Sequence, residues 1–478
     1  VGEDGQIGFN EPGSYSRSRT RLVQLTYNTR KIQSGAFFGL ENTPKMAVTM
    51  GIDTIMRANR IILMAWGEEK ATVIKDIVEG EENSATPATC LQKHPNIEVV
   101  VDEGASQELT RVKTPWLVGT CLWPERFIRT AVLWLCRKVD KPILKLTYQD
   151  YIDNRLGQLL EATGQTYDMI NIQVFNDLQH TISGWPGGKP NADDSTRPER
   201  ATPYPKRIVI FSPHPDDDVI SMGGTFIRLI AQGHDVHVAY QTSGNIAVLD
   251  DIVLQTLDTA RECGFVDRYN EVQEIINNKK KGEAEPIELR RLKGSIRRAE
   301  AKAACRQMGL TDPSHVHFLN LPFYETGGVK KGLLTDKDIQ IVVDLLREIK
   351  PHQSYAAGDL SDPHGTHRVC IETVLAAMEV VQDEEWVKEC RLWLYRGAWQ
   401  EWDLDMVDMA VPLSPDEVIQ KRHAIYRHLS QKDIVPFPGE DKREFWQRAE
   451  ERNQNTARLY DKLGMAEYQA IEVFVRLF

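Results

Sequence analysis

Arg207-Ile208-Val209-Ile210-Phe211-Ser212-Pro213-His214-Pro215-Asp216-Asp217-Asp218 is the stretch that decides the fold of the second half of the chain. It opens on an apolar, β-branched run of strand length and breaks into a polar loop. From Val219 to Gln232 the apolar residues recur at helical spacing and stop at Gly233, the residue best suited to the left-handed turn that closes a helix. Asp235-Val236-His237-Val238-Ala239-Tyr240 then reads as another strand. Strand, loop, helix, strand in that order predicts a parallel βαβ unit, and such sheets bind ligands beyond the carboxyl ends of their strands, where the Ser212–Asp218 loop falls.

The pattern continues downstream with a charged helix from Leu289 to Met308, a strand at His315-Val316-His317-Phe318, a helix from Thr335 to Ile349 and a strand-like Gln353-Ser354-Tyr355-Ala356-Ala357. Upstream, residues 183–206 are rich in Gly, Pro, Asn, Asp, Ser and Arg, which predicts a linker. Before it, apolar runs such as Ile61–Trp66 and Ile97–Val101 alternate with helical patterns, again the signature of an α/β unit. A chain of 478 residues is too long for one ordinary core. The expectation is α/β with two domains, residues 1–182 and 207–478, each a mostly parallel, Rossmann-like sheet flanked by helices. Glu125 to His180 reads as a helical extension making core or subunit contacts, which leaves a homo-oligomer open. The chain begins Val1-Gly2-Glu3-Asp4-Gly5, in what reads as the middle of a strand-to-loop motif, so the first domain is expected to be incomplete at its N-terminus.

Composition narrows the partners. With 58 Lys plus Arg against 69 Asp plus Glu, a net charge of -11 gives no broad basic field for nucleic acid. The seven cysteines are scattered, with no C-x-x-C pair, which argues against a disulfide framework or a thiolate metal site and fits a reducing cytoplasm. The longest apolar stretch, Ile61–Trp66, is too short to span a bilayer.

The chemistry concentrates in two loops. His214 and an aspartate of Asp216-Asp217-Asp218 supply imidazole and carboxylate, donors that suit a borderline divalent cation. A catalytic site of that kind normally takes three protein ligands, and Asp362-Pro363-His364-Gly365-Thr366-His367 offers further histidines after another predicted strand. A lone His-Pro-Asp is usually a capped turn, but three successive acids and a distant histidine pair are poorly explained by turn chemistry. His315 and His317, on one strand face, are the rival pair; His94, His180, His234 and His237 read as core or surface residues.

On these residues the second domain resembles the LmbE/PIG-L family of zinc-dependent N-deacetylases, matching its His-Pro-Asp-Asp motif at His214 to Asp217 and its second histidine motif at His364 to His367. The resemblance runs from about Arg207 to the C-terminus and includes Arg297-Arg298-Ala299-Glu300-Ala301 and Ser430-Gln431. It implies one divalent cation, zinc by preference, on His214, Asp217 and His367. It further implies Asp216 as general base, His364 polarising the acyl oxygen and Arg297 on the substrate. Asp218 stands where the family commonly has Glu.

In the first half, the glycine-rich Val1-Gly2-Glu3-Asp4-Gly5-Gln6-Ile7-Gly8-Phe9-Asn10-Glu11-Pro12-Gly13 carries carboxylates near the cations of Ser18-Arg19-Thr20-Arg21 and is followed by Thr43-Pro44-Lys45-Met46-Ala47-Val48-Thr49-Met50-Gly51. Over residues 1 to about 115 this resembles glucosamine-6-phosphate deaminase, which implies Asp4 and Glu11 in sugar ring opening and Arg30 and Lys70 on the substrate phosphate. The family's central histidine falls on Gln6, and an amide can hydrogen-bond to a ring oxygen but carries no proton to shuttle near neutral pH.

Joined, the two resemblances imply metal-dependent hydrolysis of an N-acylated amino sugar, N-acetylglucosamine or its 6-phosphate, fused to a deaminase-like domain. The alternatives are a deaminase as main activity, a sugar-phosphate-binding regulatory module beside an active hydrolase, or a scaffold in which both sites are relics.

Overall fold

The computed structural model describes all residues except 38, 39, 266, 281, 282, 329, 359–364, 398, 399 and 433–442. The chain forms two compact α/β units, Val1–Trp123 with Arg155–Gln158, and Pro124–Asn154 with Leu159–Phe478.

In the first unit, β1 (Arg21–Gln24) pairs antiparallel with β2 (Met46–Thr49), and β3 (Ile61–Ala65) pairs parallel with β4 (Ile97–Val101). These are separate two-stranded sheets, where one mostly parallel sheet was expected. The physical difference lies in which faces are covered. Ile61, Leu63 and Ala65 pack with Val73, Ile74 and Ile77 of the helix Ala71–Glu79, while Ile62 and Met64 on the opposite face are about half exposed. An apolar run that reads as buried on both sides is buried here on one.

The second unit is built on a seven-stranded sheet. Its strands are β5 (Arg207–Ser212), β6 (Asp235–Tyr240), β7 (Val316–Phe318), β8 (Gln353–Ala357), β9 (Arg391–Tyr395), β10 (Met409–Leu413) and β11 (Ala470–Arg476). They lie in the order β10-β11-β9-β8-β5-β6-β7. β9, β8, β5, β6 and β7 run parallel, and β11 and β10 are antiparallel additions at one edge. Both faces of the parallel part are covered. Ile208, Ile210, Tyr355 and Trp393 pack on one side against the helices Asp217–Ala231, Ile287–Met308 and Pro415–Ile425. Val209, Phe211, Ala356 and Leu392 pack on the other against Asp336–Ile349 and Thr366–Val381. The Asp336–Ile349 helix starts on a capping box, Thr335 with Asp338, as an N-terminal signal should.

Connectivity fixes the crevice. From β5 the chain moves outward to β6 and β7, then returns to β8 on the other side, so the loops after β5 and β8 diverge at a switch point.

The unit boundary falls at Trp123 rather than near residue 182, because the Glu125–Val139 and Tyr167–Thr181 helices belong to the second unit. Arg129 Nη2 donates to the carbonyl of Leu404 at 2.7 Å and to that of Val407, and the Thr181 and Tyr460 hydroxyls are 3.1 Å apart. Residues 183–206, expected as a linker, form a strap on this unit: Ser183 N–H donates to Ala410 O at 2.8 Å and Gln353 Nε2 to Pro186 O at 3.0 Å.

The helix after β5 is broken at Met222, whose φ of -138° and ψ of 25° are not helical. The N–H groups of Gly224 and Thr225 donate instead to the buried carboxylate of Glu472 at 3.0 and 2.7 Å, and Lys421 Nζ neutralises that carboxylate from 2.7 Å. Gly224 lies so close to β10 that a Cβ there would sit 2.4 Å from Leu413 Cδ1.

Candidate metal centre

His214 follows β5 in a loop braced from beneath. Ser212 Oγ donates to His214 O at 2.6 Å, Thr242 Oγ1 to Pro213 O at 2.7 Å, and Tyr240 OH to Asp218 Oδ2 at 3.1 Å. Asp218 is fully buried beneath the loop; burial first, then repulsion from Asp216 and Asp217, pushes its carboxyl up to about 7 against the hydrogen bonds of Tyr240 and Ser212. It is a brace for the loop, not a group facing the crevice.

His367 sits in the first turn of the helix after β8, and the switch point brings it to the β5 loop. Asp217 Oδ2 lies 3.1 Å from His214 Nδ1 and 3.2 Å from His367 Nε2, and the two imidazole nitrogens are 3.4 Å apart. Tetrahedral coordination with bonds near 2 Å sets donor atoms about 3.3 Å apart, so this triangle fits one face of a divalent cation's shell. Burial opposes ionisation of Asp217, but the charge on His367 and hydrogen bonds from both imidazoles outweigh it and hold the carboxyl well below the usual range. An anionic carboxylate between two imidazoles is the donor set a borderline cation takes.

Asp216 lies beside the triangle and outside it. Arg297 Nη2 donates to Asp216 Oδ1 at 2.8 Å, both side chains being almost wholly buried. Arg297, expected on the substrate, is thus engaged with the expected base; its Nε and Nη1 find no partner among the described residues. Glu300, one turn on, accepts from Ser430 N–H at 2.6 Å and Ser430 Oγ at 2.7 Å, which docks the Ser430-Gln431 segment on that helix. His364 lies outside the described residues.

The sequence reading missed His428. It is 3% exposed, neither ring nitrogen finds a partner among the described residues, and Asp216, Arg297 and Asp217 all act on it electrostatically. Burial holds it down to about 4, so it is neutral near pH 7. Its place two residues before Ser430-Gln431 was the only signal available.

In the first unit the glycine-rich loop brings Gln6 and Glu11 onto one hydroxyl: Gln6 Nε2 donates to Thr29 Oγ1 at 3.4 Å, and Thr29 Oγ1 donates to Glu11 Oε2 at 3.0 Å. Asp4 Oδ2 accepts from Asn28 Nδ2 at 2.6 Å. The two expected phosphate cations have other partners, Arg30 Nη2 on Leu40 O at 2.9 Å and Lys70 Nζ 3.6 Å from Glu3 Oε1.

The family model PIG-L, described as GlcNAc-PI de-N-acetylase, matches residues 209–378. A glucosamine-6-phosphate deaminase-like protein of Bacteroides thetaiotaomicron is 51% identical over 487 residues, covering 99% of this chain and 73% of that one. Glucosamine-6-phosphate deaminase of Staphylococcus haemolyticus is 48% identical over 103 residues, 22% of this chain; the chain spans 43% of that enzyme's length. Among solved structures, N,N'-diacetylchitobiose deacetylase from Pyrococcus horikoshii is 20% identical with a TM-score of 0.37, covering 57% of this chain and 84% of that one. The identity and coverage of the Bacteroides relative place this chain in the family of glucosamine-6-phosphate deaminase-like proteins, with a PIG-L domain behind its deaminase-like N-terminal region.

Proposed function

We propose that the second unit is a metal-dependent hydrolase that removes the N-acyl group of an amino sugar. The observation that carries this reading is the His214, Asp217 and His367 triangle with donor separations of 3.1 to 3.4 Å, beside a carboxylate, Asp216, that is not part of it. These three residues would hold a divalent cation, zinc on ligand type, and such a cation supplies Lewis acidity towards a carbonyl and towards water. Asp216 takes the proton from the attacking water and returns it to the leaving amine. Arg297 orients that carboxylate, and its two remaining donor nitrogens are available to a substrate oxygen. By family resemblance His364 polarises the acyl oxygen.

The substrate class follows from the join. The PIG-L model is named for deacetylation of an N-acetylglucosamine derivative, and the relatives of the first unit are named for glucosamine 6-phosphate. N-acetylglucosamine or its 6-phosphate makes one unit's product the other's ligand, an argument by analogy. With Gln6 in the central position and its amide hydrogen-bonded to Thr29, the first unit binds sugar phosphate without shuttling a proton. No disulfide joins any of the seven cysteines, which suits a reducing cytoplasm. None of the described helices is long and apolar enough to cross a membrane.

The test is acetate release from N-acetylglucosamine and its 6-phosphate, comparing the wild type with Asp216→Asn, alongside ammonia and fructose 6-phosphate release from glucosamine 6-phosphate. Equal acetate release by the two proteins removes Asp216 from the mechanism; ammonia release by the wild type makes deamination the second activity.

A further inference from the structure

A second set of metal-type donors lies at the other end of the same sheet. His237 on β6 and His317 on β7 share a face because Ala239 is the register partner of His317, and side chains two apart on a strand point the same way. His315 ends the short 3-10 turn that leads into β7. Asp235, the first residue of β6, stands beneath these rings: its Oδ1 is 3.3 Å from His237 Nε2 and 3.6 Å from His315 Nε2. The rings of His237 and His315 are 4.2 Å apart between centroids, and one donor atom from each of Asp235, His237 and His315 lies within 4.8 Å of the other two. The two carboxylate-to-imidazole separations are close to those of the Asp217 triangle and to the roughly 3.3 Å edge of a tetrahedral shell.

The other nitrogen of His237 completes the pattern. Nδ1 faces His317 Nε2 at 3.0 Å, so with Nε2 given to a cation the ring donates Nδ1–H to His317. A ligating imidazole almost always has such a partner for its second nitrogen. The side chains of His237, His315 and Asp235 are 13, 27 and 41% exposed, which leaves the fourth coordination direction open to water.

We propose that Asp235 Oδ1, His237 Nε2 and His315 Nε2 form a second divalent-cation site, of zinc-type donor chemistry, with His317 as the positioning residue that orients His237. The site lies at the amino ends of β6 and β7, whereas His214 follows the carboxyl end of β5; the six-residue β6 between the two levels rises by about 16 Å at the usual strand pitch. A cation there ties edge strand β7 and the turn before it to β6, a structural role independent of the hydrolase reading.

The experiment is zinc binding by the full chain after removal of metal with a chelator, read by competition with a chromophoric chelator. Wild type is expected to bind two equivalents. Asp217→Asn and His315→Gln are each expected to bind one, and the double variant none. In the Asp217→Asn background, His317→Ala is expected to weaken the remaining zinc by about 10- to 100-fold while a circular-dichroism melt shows it folded. Asp235→Asn provides a second removal of the site should His315→Gln fail to fold. Undiminished binding in folded His315→Gln and Asp235→Asn, or absence of zinc from folded Asp217→Asn, overturns the second site. Retention of one equivalent by Asp217→Asn with no loss relative to wild type overturns the first triangle instead and leaves the second standing.

Discussion

The two units each present carboxylates on a loop punctuated by glycine or proline, and they treat them in opposite ways. In the first unit Glu11 and Asp4 are held by neutral donors, Thr29 and Asn28, and the nearby cations Arg30 and Lys70 are engaged elsewhere. Around Asp217, two imidazoles converge on a single oxygen, which sets three ligand-type groups at coordination spacing. Acidic loop residues therefore say little by themselves; what distinguishes a binding site from a satisfied turn is whether the neighbours are neutral donors or other ligands.

The sharpest way to break this contrast is Asp216→Asn. If Asp216 is the base beside a preformed cation site, turnover on the acylated sugar falls roughly 10²- to 10⁴-fold while bound metal, measured by elemental analysis, stays unchanged. Loss of metal together with activity would make Asp216 a ligand and erase the distinction. Next in size is Lys421→Met. It leaves Glu472 buried without its counter-charge, and breaking a buried pair typically costs about 3–5 kcal/mol, to be read from denaturant unfolding of the full chain. Glu472 also carries a pH signature: burial opposes its ionisation, but Lys421 and the Thr225 hydrogen bonds outweigh burial and depress the carboxyl. Its contribution is present above the unfolded value, near 4.5, and is lost as the pH falls through the lower folded value.

Thr29→Val tests the other side of the comparison. It removes the hydroxyl shared by Gln6 and Glu11, and the stranded buried groups should cost about 1–3 kcal/mol in the first unit, with acetate release unchanged. A fall in acetate release would show that the first unit supports the second's chemistry. The smallest effect concerns the strap. His234 Nδ1 accepts from Lys206 N–H at 3.1 Å, and burial, with repulsion from Lys206, lowers the imidazole from 6.5 to about 4. A depressed folded value means stability is fully present above 6.5 and is lost as the pH falls towards 4. Proteolytic nicking within residues 183–206 should accelerate between pH 7 and 5 in the wild type and less so in His234→Gln, which cannot titrate.

The second unit was legible because its signals are local. Arg207–Ser212 is a strand buried on both faces, Pro213 and Pro215 break it, and the next helix ends at Gly233, so pattern and packing agree. The unit boundary was not legible. The periodicity of Glu125–Val139 announces an apolar face but not its partner, and Arg129 finds its carbonyls some 275 residues downstream. His428 was invisible for a related reason: in Tyr426-Arg427-His428 it reads as the solvated end of a helix, and only tertiary packing buries it. In the first unit, β3 looked like a strand covered on both sides because sequence records apolarity and not which neighbours are present to cover it.

Gly224 has a reach beyond its own position. The helix it belongs to begins at Asp217, seven residues earlier, and at Gly224 the side chain of Leu413 on β10 fills the space that a Cβ would need. A methyl group there would have to push the Leu413 side chain aside or shift the backbone whose N–H groups bind Glu472. Seating of the helix that carries Asp217 therefore depends partly on the smallest residue on the far side of its break, remote from the carboxylate itself.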